Sequence, residues 1–129
     1  MTDLPKDLKY TKNHEWLRMT SDNEGIIGIT DYAQRSLGDV TYVELPQIGL
    51  HYNKDQPFSI IESVKAASDI YMPVDGQIIA VNNSLDNNPG WVNSAPYSDG
   101  WIIKIKIASP NQFSELLSSQ DYQDIIGPR

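Results

Sequence analysis

The stretch "SIIESVKAASDIYMPVDG", residues 59–76, places a single lysine between two strand-like segments. β-Branched and aromatic residues, which favour strands, are frequent on both sides of Lys65. Only a few small residues separate the two segments, so the pattern predicts a tight hairpin with Lys65 at its tip. No Asn-Gly or Asp-Gly pair marks the turn. A lysine on a turn is ordinarily a solvated surface charge, and assigning it a function requires evidence from the rest of the chain.

The size and composition of the chain are those of one globular domain. With 129 residues, we predict a single domain over residues 1–129, which buries about two thirds of its unfolded surface. Seventeen acidic residues against ten basic ones give a net charge of −7. This balance argues against nonspecific binding to nucleic acid or to anionic lipid, because both depend on clustered lysine and arginine.

The expected location follows from what the sequence does not contain. No apolar run approaches the length of a membrane span. The N-terminal residues resemble neither a signal peptide nor a transit peptide. We therefore expect a cytoplasmic bacterial protein or, as the alternative, a mature mitochondrial form whose presequence has been removed.

The residue types that usually build active sites are missing or scattered. The chain has no cysteine, which excludes disulfides, thiolate metal sites and cysteine nucleophiles. His14 and His51 lie outside any metal-binding motif, so no metal site is predicted. His14 and Glu15 have the residue types of a general-base pair, but a strand end anchored by a buried Trp16 is the simpler interpretation. The sequence predicts a protein that is acted upon rather than an enzyme.

Outside the hairpin, alternating and β-branched segments predict further strands. The clearest covers residues 101–107, where isoleucines alternate with Lys104 and Lys106. Further strands are predicted over residues 25–30, 40–45 and 77–81, and a long polar loop over residues 82–100. This many short strands predicts a compact β-sandwich or flattened barrel.

Three short helices are predicted beside these strands. The first covers residues 32–37, with Asp31 as its N-cap and Gly38 as its end. The second starts at Ser109, followed by Pro110 and by Gln112 as the partner in a capping box. The third lies around Tyr122, near the end of the chain.

Several blocks of sequence, taken together, resemble one protein family. Residues 62–69, Glu-Ser-Val-Lys-Ala-Ala-Ser-Asp, resemble the lipoylation motif of the H proteins of the glycine cleavage system. Five further blocks are similar to that family in order and spacing: residues 9–16, 28–34, 37–39, 42–46 and 96–106. The resemblance extends over about residues 8–122.

The resemblance implies a fold and a cofactor site. The fold would be the barrel-sandwich hybrid of lipoyl and biotinyl domains, mainly β, with short peripheral helices that include C-terminal ones. Lipoate would be attached as an amide to Lys65. The residues expected to be recognised by the lipoylating enzyme are Glu62, Ser63, Val64, Ala66 and Ala67. Glu15 and Asp69 would line a cleft that receives the ammonium group of the loaded arm.

The resemblance also implies a set of partners. A pyridoxal-phosphate-dependent glycine decarboxylase would load the arm, and a tetrahydrofolate-dependent aminomethyltransferase would unload it. Dihydrolipoyl dehydrogenase would then reoxidise the arm. The chain itself would be a non-catalytic carrier of the aminomethyl group of glycine. The absence of cysteine fits this role, because a protein thiolate could attack the cyclic disulfide of lipoate.

The sequence is compatible with two alternatives. One is a lipoyl or biotinyl domain of another multi-enzyme complex, although biotin carriers place methionines beside the lysine and Lys65 is flanked by Val64 and Ala66. The other is a β-sandwich binding module whose lysine stays unmodified.

The chain also departs from the family pattern at three places. Asp55-Gln56 replaces a glycine–acidic pair, Asn13 replaces a common serine, and Ser36 occupies a variable position. Aspartate tolerates the left-handed conformation, so we expect the turn at Asp55 to persist. The departures leave the carrier role intact and bear on the details of the arm cleft.

Overall fold

The computed structural model describes residues 4–127, in which nine strands form two antiparallel sheets. The strands are β1 (Lys9–Tyr10), β2 (Glu15–Met19), β3 (Glu24–Ile29), β4 (Val40–Val43), β5 (His51–Tyr52), β6 (Pro57–Ser63), β7 (Ala67–Tyr71), β8 (Gly76–Val81) and β9 (Ile103–Ile107). The larger sheet has the order β1-β2-β3-β9-β8-β5 and the smaller one the order β4-β6-β7. The predicted mainly β sandwich is confirmed.

The main core fills the space between the sheets. Side chains alternate between the two faces of a strand, so Ile103, Ile105 and Ile107 of β9 are buried while Lys106 is exposed. Buried residues from both sheets meet in one cluster, which includes Leu17, Ile27, Ile61, Ile70, Met72 and Ile78. The two sheets therefore stabilise each other by burying one apolar face each.

Helices lie at the periphery. The α-helices are α1 (Asp31–Leu37), α2 (Trp91–Ser94) and α3 (Ser119–Ile126), and two 3₁₀ helices cover Asn83–Asp86 and Pro110–Glu115. Helix α2 and the first 3₁₀ helix lie in the segment that was predicted as a loop. Within residues 4–127, none of the helices has the length and apolar character that crossing a membrane requires.

The caps of two helices differ from the prediction. Thr30, rather than Asp31, is the N-cap of α1, because its side-chain oxygen accepts a hydrogen bond from the N–H of Ala33. The predicted end of α1 at Gly38 is confirmed, with φ of 79°. At the second helix, the side chain of Ser109 makes no capping bond. The amide oxygen of Gln112 instead accepts from the N–H of Asp75 at 2.7 Å.

The C-terminal helix α3 packs against the start of the chain. Tyr122 is fully buried, and its ring stacks on that of Tyr10 at 4.9 Å between centroids. Together with Leu8 and Trp16 they form a second buried cluster. The predicted peripheral helix at the C-terminus is thus part of the packed structure.

Some strand limits also differ from the prediction. Strand β9 begins at Ile103 rather than at residue 101, because the N–H of Trp101 bonds to the carbonyl of Ser98 within a turn. Strand β4 ends at Val43 instead of continuing to residue 45. The elements themselves follow local sequence patterns, whereas their ends depend on backbone hydrogen bonds to neighbouring segments.

Candidate functional site

Lys65 lies at the tip of the β6–β7 hairpin, as predicted. Glu62 pairs with Ala67, and the N–H of Ser63 donates to the carbonyl of Ala66 at 2.8 Å. The hydroxyl oxygen of Ser63 accepts from the N–H groups of Lys65 and Ala66, each at 3.2 Å. A serine side chain can thus stabilise a turn that lacks the usual glycine signal.

The tip rests on the C-terminal end of α1. The N–H of Val64 donates to the carbonyl of Asp39 at 3.0 Å. A Cβ atom built on Gly38 would lie 3.2 Å from Cδ of Lys65, so the aliphatic stem of the lysine lies across this glycine. In the described part of the chain, the exposed Lys65 ammonium group has no hydrogen-bond or ion-pair partner.

The predicted recognition residues come together around Lys65. Glu62, Val64, Ala66 and Ala67 are exposed, and Ser63 is partly buried beneath the turn. The apolar side chain of Val64 is 68% exposed, which is unusual for valine. The six contiguous residues 62–67 thereby present one amine among small, apolar and acidic side chains.

Glu15 is a buried carboxyl group between the two sheets. It is 1% exposed, and it accepts hydrogen bonds from the hydroxyl of Thr11 at 2.5 Å and from the N–H of Tyr71 at 3.2 Å. Burial raises the pKa of Glu15 to about 7, and the charge of Asp55 acts in the same direction. The bonds from Thr11 and Tyr71 oppose this rise in pKa, because they stabilise the carboxylate.

Asp69 lies on the same strand that Glu15 reaches. It is exposed in β7, opposite Ile60 and two residues before Tyr71. Within the described residues 4–127, the carboxylates of Glu15 and Asp69 share no hydrogen-bond partner and form no hydrogen bond with each other. Lys65 is six residues from Tyr71, at most about 20 Å at the rise of a strand. The two acidic residues thus lie along the path from the hairpin tip to its base.

A surface cavity of about 270 Å³ is lined by Thr11, the hydrogen-bond partner of Glu15, and by no residue of the lysine hairpin. Its lining residues are Tyr10, Thr11, Lys12, Asn13, Lys54, Asp55, Glu115, Leu116, Leu117 and Ile125. None of the predicted site residues lines it, but two departures from the family pattern, Asn13 and Asp55, do. Asp55 adopts φ of 70°, the left-handed conformation expected of it. The cavity wall comes from separate segments of the chain, so no local motif indicated it.

The side chains of residues 14–16 are held by hydrogen bonds to residues far away in the sequence. Nδ1 of His14 lies 2.7 Å from the hydroxyl of Tyr122, which lies 2.7 Å from the hydroxyl of Thr30. The indole N–H of the buried Trp16 donates to two backbone carbonyls. His14 and Glu15 thus belong to separate hydrogen-bond networks, which favours the interpretation of an anchored strand end.

Comparison with known proteins identifies the family. The model of the glycine cleavage H-protein family matches residues 8–128. The chain belongs to the glycine cleavage H-protein family. Its similarity to the glycine cleavage system H protein of Opitutus terrae is 50% identity over 127 residues, covering 98% of this chain and 100% of that one. The H protein of Xylella fastidiosa strain M12 is 49% identical over 126 residues, covering 98% of this chain and 96% of that one.

A solved structure supports the same assignment. The crystal structure of a glycine cleavage system H protein from Mycobacterium marinum superposes with a TM-score of 0.89 at 32% identity, covering 97% of this chain and 100% of that one. The predicted flattened sandwich of the lipoyl-domain type is confirmed. The predicted role of lipoyl carrier in the glycine cleavage system is confirmed as well. The match in family and fold disfavours a domain from another lipoyl- or biotinyl-dependent complex.

Proposed function

We propose that Lys65 carries the lipoyl group and that residues 1–129 form one non-catalytic carrier domain. The observation that supports this most strongly is the state of the Lys65 amine. It is exposed, and within residues 4–127 it has no partner that acylation would displace. Acylation removes the positive charge of the amine. Because the amine forms no ion pair, attaching the arm breaks none. Lipoate, when bound as an amide, supplies the disulfide that takes up the aminomethyl group.

The residues around Lys65 suit recognition by a lipoylating enzyme. Ala66 and Ala67 leave room for an enzyme to close over the amine. Glu62 presents a carboxylate on the same exposed turn, and Val64 presents an apolar side chain. Ser63 holds the turn through three hydrogen bonds of its hydroxyl group, two accepted and one donated. We infer that the enzyme recognises this rigid tip rather than a flexible loop.

Glu15 is suited to receive the ammonium group of the cargo. Its pKa of about 7 means that a nearby cation would shift it toward the carboxylate at neutral pH. An ion pair in such a buried place interacts more strongly than one in water. Asp69, exposed on β7 between Lys65 and Tyr71, would meet the same cation nearer the surface. Holding the cargo there would exclude water from a group that decomposes in it.

The proposed partners are the enzymes that load, unload and reoxidise the arm. These are glycine decarboxylase, aminomethyltransferase and dihydrolipoyl dehydrogenase, together with the lipoylating enzyme that attaches the arm. The matched relatives come from bacteria, which supports a cytoplasmic location for this cycle. A carrier among several enzymes must present its arm without a tight permanent interface, and an arm at an exposed hairpin tip satisfies this requirement.

The intact mass of the protein purified from its own host tests the proposal. We expect a mass increase equal to one lipoyl amide, and peptide mapping should place it on Lys65. An unmodified mass in cells that are cleaving glycine would instead favour a binding module with a free lysine.

A further inference from the structure

Asn93 of α2 fixes the end of α1 beneath the lysine hairpin. Its side-chain N–H₂ donates to the carbonyl of Gly38 and to the side-chain oxygen of Gln34, both at 2.9 Å. Its side-chain oxygen accepts from the N–H of Val40 at 2.8 Å. One side chain therefore holds the backbone on both sides of Asp39, from the carbonyl of Gly38 to the N–H of Val40. Since the polar groups of the Asn93 side chain all have partners and these bonds are partly buried, residues 38–40 form a rigid support.

This support contacts the hairpin at two points. The carbonyl of Asp39 accepts the N–H of Val64, which fixes the backbone of the turn. Gly38 faces the stem of Lys65, since an added Cβ would lie 3.2 Å from Cδ and 3.7 Å from Cγ of the lysine. The contact involves the methylene groups rather than the ammonium group. It therefore persists when the amine becomes an amide.

Gly38 satisfies two requirements at once. Its φ of 79° lies in the left-handed region that favours glycine. The absence of a side chain leaves the space that the lysine stem occupies. Gly127 meets only the first requirement: it ends α3 with φ of 88°, and no atom lies within 4 Å of a Cβ built on it.

We infer that Gly38 is a positioning residue of the carrier, which sets the direction in which the Lys65 arm leaves the hairpin. The inference rests on the proposed lipoylation of Lys65. A methyl group at position 38 would lie 3.2 Å from Cδ, so the lysine stem would have to shift by a few tenths of an ångström, away from its present rotamer. If the displaced stem must return to its original place before Lys65 is lipoylated, an off-rotamer cost of the usual size lowers the rate of lipoylation about two- to tenfold.

The test compares Gly38→Ala with Gly127→Ala. Both changes strain a left-handed residue at a helix end, but only the first reaches Lys65. The measurements are thermal unfolding, side-chain NMR shifts of Lys65, and kcat/KM for lipoylation of each unmodified carrier by the lipoylating enzyme. We expect similar losses of stability in both variants. Only Gly38→Ala should shift the Lys65 resonances and lower kcat/KM, by about two- to tenfold.

The outcomes separate this inference from the proposed function. A lipoylated wild-type protein with equal kcat/KM for both alanine variants would overturn the role of Gly38 and leave the carrier function standing. Absence of lipoylation on wild-type Lys65 would overturn the carrier function itself. If Gly38→Ala does not fold, Asn93→Ala replaces it, because it loosens the support without adding an atom near Lys65. A kcat/KM for Asn93→Ala equal to that of the wild type would then overturn the inference.

Discussion

The outward faces of the two sheets differ in whether their charged side chains have partners within the molecule. On the three-stranded sheet, Tyr42, Glu62 and Ala67 form one row across the strands, and Asp69 lies opposite Ile60 in the next. Glu44, whose N–H bonds to the carbonyl of Ile60, adds a third exposed carboxylate. Among the described residues, none of these three carboxylates has an ion-pair or hydrogen-bond partner. We call this surface, which ends at Lys65, the acidic face.

The six-stranded sheet places basic side chains on its outward face and engages most of them within the molecule. Arg18 donates to the carbonyl of Tyr97 at 2.9 Å, and its guanidinium lies 5.0 Å from the ring of Trp16. Lys104 forms a salt bridge with Glu24 at 3.5 Å. Charges that are already partnered stabilise the fold locally, whereas unpaired charges remain available to another molecule. We therefore expect a partner with a basic surface to approach the acidic face, and the following experiments test this expectation.

The largest expected effect comes from the lysine at the end of the acidic face. Arginine keeps the positive charge but cannot be acylated there, so Lys65→Arg should fold normally and carry no lipoyl group. Intact mass after expression with the lipoylating enzyme measures this. Lys106→Arg, on the other sheet, is the matched control and should be fully lipoylated. A lipoyl adduct on Lys65→Arg would show that the arm is attached elsewhere.

The second effect concerns the carboxylates of the acidic face. In carrier that has been lipoylated to completion, Glu44→Gln with Glu62→Gln should slow reduction by the decarboxylase at low salt and subsaturating concentration. Loss of electrostatic steering is expected to lower the rate by up to about tenfold. The wild-type rate should fall as salt rises, and the variant should depend less on salt.

Glu24→Gln serves as the control for this experiment, because it removes one negative charge from the opposite sheet. Its rate should stay close to that of the wild type. Wild-type rates that do not change with ionic strength would point instead to docking through exposed apolar side chains such as Tyr42 and Val64, which are 48% and 68% exposed.

The third effect compares a buried carboxyl group with an exposed one. Replacing Glu15 by Gln and Asp69 by Asn should shorten the lifetime of the isolated loaded carrier. A screened charge contact of about 1 kcal/mol corresponds to roughly a fivefold change. Release of ammonia or formaldehyde without the transferase measures the lifetime. The Glu15 change alone should account for most of the effect, because Glu15 is buried and Asp69 is exposed.

Lipoylation and turnover with the dehydrogenase serve as internal controls and should remain nearly unchanged. Equal lifetimes for the wild type and the double variant, with both folded, would mean that Glu15 only joins the two sheets and that Asp69 is only a solvent-exposed charge on the hairpin.

The last effect is on folding rather than on the carrier cycle: a pH dependence of stability at Glu15. Its pKa of about 7 in the folded protein exceeds the ordinary 4.5, so folding is favoured by the protonated form. This contribution is complete below pH about 4.5 and is lost as the pH rises through about 7. Glu15→Gln should therefore gain stability relative to the wild type between pH 5 and 8, on the order of 1–3 kcal/mol. Denaturant unfolding across this pH range measures the difference.

Glu62→Gln is the control for the loss of a surface carboxyl group. Its stability relative to the wild type should change little over the same range. A constant difference between Glu15→Gln and the wild type from pH 5 to 8 would contradict the raised pKa.

Local sequence patterns were enough to predict the hairpin, the position of Lys65 and the type of fold. These features depend on neighbouring residues: β-branched segments on both sides of a short turn, isoleucines alternating with lysines in β9, and a contiguous motif around the lysine. The end of α1 at Gly38 could also be predicted, because a glycine after a short helical segment is a local signal for the end of a helix. Collinear blocks elsewhere in the chain were enough to indicate the family.

The surroundings of these features, in contrast, depend on contacts between segments that are far apart in the sequence. Thr30 rather than Asp31 caps α1, although both residue types suit the position, and Gln112 bonds to Asp75 instead of closing a capping box. The raised pKa of Glu15 arises because strands far apart in sequence bury it. The contact of Gly38 with Lys65 and the bonds of Asn93 join three separate segments. Such features depend on which distant residues meet, and local propensity carries no information about that.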